Sequence, residues 1–173
     1  MERTKVTFKR TISAVLLALI VALLASCDDS VATGYHWRRP SGTQTVVYYS
    51  ITPGAEEFTG VMRTAAAQWS ANSRVEAKVV TKCPAGANCV TVHKSTAYST
   101  CGYTTVPGSG DRTIKTAAIR FNTNACRPNV YLACHEMGHT LGLTHNKYTP
   151  GQAPCFNGAP SARDQSLVAD AHK

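Results

Sequence analysis

Between residues 135 and 145 the chain reads His-Glu-Met-Gly-His-Thr-Leu-Gly-Leu-Thr-His. His135 and His139 are four apart, so on a helix both imidazoles project from one face and can grip a single metal ion. Glu136 lies one position round from His135 and can reach a water beside that ion without being a ligand. Gly142 falls where the helix must break and turn sharply, a position suited to positive φ. That turn brings back His145 as a third ligand. Three histidines with an open fourth position is the layout of catalytic zinc, whereas structural zinc is usually closed by four protein ligands. The chemistry expected is metal-assisted hydrolysis with Glu136 as general base. Three histidines, a glutamate and a glycine at these offsets arise by chance in roughly one in 10^5 chains of this length, so the segment reads as a site. His36, His93 and His172 stand outside it and read as ordinary surface or strand residues. Tyr131 and Tyr148 are close in sequence but read as structural.

The elements that must position this segment follow from patterning. Val46–Ile51 is rich in β-branched and aromatic residues and reads as a buried strand. Thr52-Pro53 resembles an N-cap followed by proline at the first helical position, with Phe58, Val61, Met62, Ala65 and Trp69 forming the apolar stripe of the helix beyond. Further strands fit 75–80, 89–93, 98–106 and 116–122, with a loop at 107–111. A helix over 128–141 carries the metal motif. Ser161 and Asp164 form a capping-box pattern before a last helix over 162–171. Strand, helix, four strands, helix, helix is an α/β (α+β) layered domain.

The N-terminus reads as an address. Cationic residues precede a 13-residue apolar run over 12–24, too short for a comfortable permanent span but suited to export. The run ends in Leu24-Ala25-Ser26-Cys27, which resembles the lipobox of bacterial lipoproteins. That resemblance implies a signal peptide over 1–26, a lipid on Cys27, a polar tether over 27–43 and a catalytic domain over 44–173. It places the protein outside the cell, anchored to the outer face of a membrane. Seven cysteines are an odd number for an exported chain; committing Cys27 to lipid leaves six. Cys83, Cys89, Cys101, Cys126, Cys134 and Cys155 then suggest three disulfides. Fifteen connectivities are possible, and the sequential one (83 with 89, 101 with 126, 134 with 155) is the expectation.

The formal charge of +8 overstates the basicity of the exported part, because four of the 18 basic residues and one of the 10 acids precede residue 27. The remaining +5, without basic runs or aromatic interleaving, gives no reason to expect nucleic acid as a partner. A monomer is the default expectation.

His-Glu-x-Gly-His-x-Leu-Gly-Leu-x-His resembles the extended zinc signature of the metzincin metallopeptidases, closest to the matrixin branch. The similarity of element order covers about residues 45 to 171. It implies a zinc endopeptidase with a twisted five-stranded mixed sheet, an active-site helix, a backing helix and a C-terminal helix. It also implies that the fourth strand is an antiparallel edge holding the backbone of a protein or peptide substrate, a mode that accepts many sequences. There are departures. The family places a methionine in a turn beneath the zinc, but this chain has only Met1, Met62 and Met137; Phe156 is the expected hydrophobic floor instead. With Cys27 assigned to lipid, a cysteine-switch latency is not expected. Matrixins also carry structural calcium and a second zinc. Between Glu76 and Glu136 there is a single acid, Asp111, and calcium needs six or more oxygens, so neither extra ion is expected.

Overall fold

Alternation along the first long strand sets the architecture. The computed structural model describes residues 31–39, 44–71, 74–97, 99–145, 154–155 and 157–173. In Thr45–Ile51, here β3, Thr45, Val47 and Tyr49 are buried while Val46 and Tyr48 are only partly so. One face therefore meets the core, the period-2 signature of a sheet covered on one side. The sequence reads this strand as buried, and the structure narrows that to a single face.

Before β3 come two short strands, β1 (Val31–Ala32) and β2 (His36–Trp37). After it come α1 (Thr59–Ser70), β4 (Val75–Val80), β5 (Asn88–Ser95), β6 (Gly102–Thr105), β7 (Thr113–Ile114) and β8 (Ala117–Asn122). The chain ends with α2 (Val130–Thr140), β9 (Leu143–Thr144) and α3 (Ala162–Ala171). The main sheet has the order β4-β3-β5-β8-β6, parallel except for β6, which runs antiparallel to β8 at one edge. The described residues thus form a mixed α/β fold, with a five-stranded mixed sheet and three helices.

Helices α1 and α2 pack against each other and supply the other half of the core. Met62, Ala65 and Trp69 of α1 are buried as their spacing predicts, together with Phe58 just ahead of the helix, while Val61 is only partly buried. Phe58 stacks on Phe121 of β8 with ring centroids 4.3 Å apart, an arrangement that adds roughly 1 kcal/mol beyond area burial. Trp69 donates its indole N–H to the Cys134 carbonyl at 3.0 Å, tying α1 to the helix that bears the histidines.

The structure corrects four further expectations. Thr52 does not cap a helix. Its N–H and hydroxyl both donate to the Val92 carbonyl, at 3.0 and 2.8 Å, so it prolongs the β3–β5 pairing. Gly54 then takes φ +88°, a 3₁₀ turn spans Glu56–Phe58, and α1 begins only at Thr59. The strand expected over 98–106 is the four-residue β6; Tyr98 lies outside the described residues. Residues 31–39, read as tether, are folded onto the domain: β1 pairs with β9, β2 pairs with β7, and Trp37 is 1% exposed. His172, read as an ordinary surface residue, is buried at the end of α3. It accepts the Trp37 N–H at Nε2 (3.3 Å), and its Nδ1 faces the Val168 carbonyl at 2.8 Å. By contrast, the capping box at Ser161 and Asp164 is present with both reciprocal bonds.

The six cysteines pair sequentially: Cys83–Cys89, Cys101–Cys126 and Cys134–Cys155, with Cα separations of 6.0, 5.2 and 5.8 Å. Residues 1–26, Cys27, Tyr148 and Phe156 lie outside the described residues. Among the described residues no helix is long and apolar enough to cross a membrane.

Candidate metal centre

Helix α2 begins with Asn129, whose side-chain oxygen accepts the Leu132 N–H at 2.8 Å. It ends at Thr140, and the turn beyond runs through Gly142, which adopts φ +91° and whose N–H returns to the His139 carbonyl. A Cβ at Gly142 would strike the Tyr35 carbonyl, so both conformation and space demand glycine there. The reversal leads into β9 and sends His145 back toward the helix.

The three imidazoles converge. Nε2 of His135 lies 3.1 Å from Nε2 of His139 and 3.1 Å from Nε2 of His145. The two half-buried rings are oriented from behind: Nδ1 of His135 faces the Pro154 carbonyl at 3.0 Å, and Nδ1 of His139 faces the Leu143 carbonyl at 2.9 Å. A carbonyl only accepts, so each Nδ1 carries the proton and donates. Each Nε2 then presents a lone pair to the common centre. Bare lone pairs at 3.1 Å repel one another, and a cation between them removes the conflict. An ion about 2.0–2.1 Å from each nitrogen, with tetrahedral angles, places the nitrogens about 3.3–3.4 Å apart, close to what is observed. The donor set fits a metal ion, and His135, His139 and His145 form a cluster able to bind one.

Electrostatics favour the ligating form. Burial lowers the pKa of His135 to about 4, aided by its neighbour His139 and opposed by the bond to Pro154. Burial likewise lowers His139, against the bond to Leu143, and lowers His145, against the charge of Glu136. All three are neutral imidazoles at neutral pH, the state that binds metal.

Glu136 is 4% exposed. Burial raises its pKa, while a hydrogen bond from Thr104 and the proximity of His145 lower it. Thr104 Oγ1 of β6 donates to Glu136 Oε2 at 2.5 Å. The carboxyl group lies directly against Gly102 of the same strand, where any Cβ would overlap it. Glu136, His139 and His145 share a cleft of about 470 Å³. One rim is formed by Gly102, Tyr103 and Thr104 of β6; the other includes Thr33, Tyr35, Leu143 and Thr144. Tyr103 and Tyr131 are large apolar side chains exposed at the surface, and Tyr131 lies 5.9 Å from His135 ring to ring.

Beneath the site, α2 and the 154–155 segment touch closely. A Cβ on Gly138 would collide with Pro154 and crowd Trp69. The Cys134–Cys155 bridge joins the residue before the first histidine to this segment. Pro154 is thus one part of the support beneath the helix; the floor expected from Phe156 falls outside the described residues. Asp164 sits below, 2% exposed, its Oδ2 accepting the N–H groups of Ser161 (3.0 Å) and Cys155 (3.4 Å).

Sequence reasoning named the three histidines, Glu136 and Gly142, and the structure brings them together. It missed Thr104, Gly102, Thr33, Tyr35 and the carbonyls of Pro154 and Leu143. Backbone carbonyls leave no mark in a sequence. The glycine at 102 is the one signal that would have pointed to a close approach. His36 and His93 lie away from the cluster, in β2 and β5. No protein-family model matches this chain, and no curated protein does.

Proposed function

We propose that the protein is a zinc-dependent endopeptidase of metzincin type, nearest the matrixins, exported and held at a membrane by a lipid on Cys27. The observation that carries this reading is one cleft in which a buried carboxylate adjoins converging imidazoles beneath the edge of a sheet. Zinc suits an all-imidazole site with an open position.

When bound, zinc supplies Lewis acidity, bringing the pKa of water toward about 7 and polarising a carbonyl. The chain's own residues do the rest. Pro154 and Leu143 fix the tautomers of His135 and His139, so both rings present Nε2 in a set direction. Thr104 holds one oxygen of Glu136 and thereby its orientation. Removed from bulk water, Glu136 gains proton affinity; it takes a proton from the attacking water and passes it to the departing amine. β6 terminates the sheet, so its outer edge offers backbone groups to an extended peptide laid beside it. Recognition through main-chain bonds suits a protein substrate of varied sequence.

The test is cleavage of unfolded casein and a mixed peptide library by the mature protein with zinc, with a chelator, and as Glu136→Gln. Activity that disappears in both controls establishes the peptidase. Stoichiometric zinc without cleavage of any substrate would replace it with a peptide-binding lipoprotein. Anchoring is tested separately by Cys27→Ala, which should release the protein to the medium; unchanged retention would refute the lipid.

A further inference from the structure

We propose that Thr33 is a positioning residue of the metal centre: it holds, from the N-terminal segment, the turn that delivers His145. This rests on the reading of His135, His139 and His145 as metal ligands. Thr33 lies 109 residues before Gly142, yet both its N–H (2.8 Å) and its hydroxyl (2.9 Å) donate to the Gly142 carbonyl. The hydroxyl proton is thereby committed, so the same oxygen accepts the Tyr35 N–H at 3.2 Å. That second bond holds the Tyr35 backbone, whose carbonyl occupies the space a side chain at Gly142 would need.

The clamp acts on the stretch that matters for the metal. Gly142 is followed by Leu143, whose carbonyl orients His139, and two residues later comes His145. Val31 and Ala32 pair with Thr144 and Leu143, so the strand edge is held along its length. A helix end leaves its last carbonyls without partners. Here the Trp37 indole donates to the Thr140 carbonyl at 2.8 Å, and Thr33 does the same for the Gly142 carbonyl in the turn just beyond.

The segment is itself anchored. Trp37 is fully buried, the Tyr35 ring lies directly on Gly108, and Gly34 lies against the Arg112 side chain. Strain is not what holds the turn, since glycine tolerates φ +91° freely. The pair of bonds from Thr33, together with the β1–β9 pairing, favours this conformation over its alternatives.

Thr33→Val keeps shape and backbone but removes the hydroxyl; Thr33→Ser restores it. Both variants of the full mature chain are loaded with zinc, or with cobalt as a spectroscopic probe, and challenged with excess chelator. Thr33→Val loses both the bond to the Gly142 carbonyl and the one from the Tyr35 N–H; the first acts on the turn directly, and loss of one net hydrogen bond corresponds to roughly a fivefold change in the local equilibrium. We therefore expect Thr33→Val to release metal about fivefold faster and to alter the cobalt visible bands, with Thr33→Ser close to the parent. A residue that only supports the fold would lower the melting temperature without changing the cobalt spectrum, and that result overturns the proposal. So does release from Thr33→Val at the parental rate. If the parent itself takes up no metal, the ligand reading fails. Amide exchange over 141–145 in the metal-free chain then decides the clamp separately: faster exchange in Thr33→Val, restored in Thr33→Ser, supports it, and equal exchange refutes it.

Discussion

Asp164 and His135 meet across a single peptide group. The Cys155 N–H points to the buried Asp164 carboxylate, and the Pro154 carbonyl at the other end of that peptide accepts the proton of His135 Nδ1. A negative charge on the N–H side makes the carbonyl a better acceptor, which in turn makes Nε2 of His135 a better donor to a metal.

Asp164→Asn, nearly isosteric, should therefore weaken metal retention. Outer-shell losses cost 10- to 100-fold, and one step further out we expect about tenfold. Competition with a chromophoric chelator measures it. An unchanged affinity would reduce Asp164 to a helix cap.

Gly102→Ala should damage turnover without emptying the site. The added methyl displaces the Glu136 carboxyl, and misplacement of a catalytic group by about 1 Å costs roughly 10²-fold in rate. Metal content by elemental analysis should stay stoichiometric. Full activity in this variant would mean that Glu136 does not act from the position it occupies here.

His172 predicts an acid-sensitive fold. Burial, reinforced by His36 and opposed by the bond to Val168, lowers its pKa to about 4. Arg39 donates to its main-chain carbonyl at 3.2 Å, and the exposed Lys173–Asp170 pair flanks it on the same helix end. The unfolded value is near 6.5, so between pH 6.5 and 4 the unfolded chain binds more protons. The contribution is complete above about pH 6.5 and is lost as pH falls toward 4, with a ceiling of about 3 kcal/mol. Denaturant unfolding of metal-free protein at pH 7 and pH 5 checks this against His172→Gln, whose stability should fall less on acidification. Parallel pH dependences in the two proteins would assign the effect elsewhere.

Removing the Cys134–Cys155 bridge should cost more than removing Cys83–Cys89. Their sequence separations are 21 and 6, and loop-closure entropy gives about 3 and about 2 kcal/mol. Only the first should also speed metal release, because it ties Pro154 to the helix bearing His135. Paired alanine variants, compared by melting and by zinc release, separate the two effects. Equal zinc release from both would detach the bridge from the metal site.

The site was legible where chemistry is local. His135, Glu136, His139, Gly142 and His145 lie within eleven residues, so helical spacing and one turn suffice to bring them together. Two packing elements were legible too, since the strand Val75–Val80 and the apolar stripe of helix α1 follow from period alone. What stayed hidden involves distant partners. Thr104 meets Glu136 only because β6 returns antiparallel at the sheet edge. The turn at Pro53-Gly54 was misread because Thr-Pro is equally a helix start and a strand end, and only the Val92 carbonyl decides between them. Residues 31–39 looked like linker because a single buried Trp37 and two two-residue strands leave no periodicity to read.

The pairing of Val31 with Thr144 has a geographical consequence. Three residues separate Cys27 from Val31, a span of at most about 14 Å even when fully drawn out. With the lipid proposed for Cys27, Val31 stays within that distance of its anchor, and the cleft rim that carries Thr144 stays beside it near the bilayer surface. The active site would patrol a thin layer of fluid next to the lipid, and the height of a scissile bond above the membrane would sort substrates before any side chain is read.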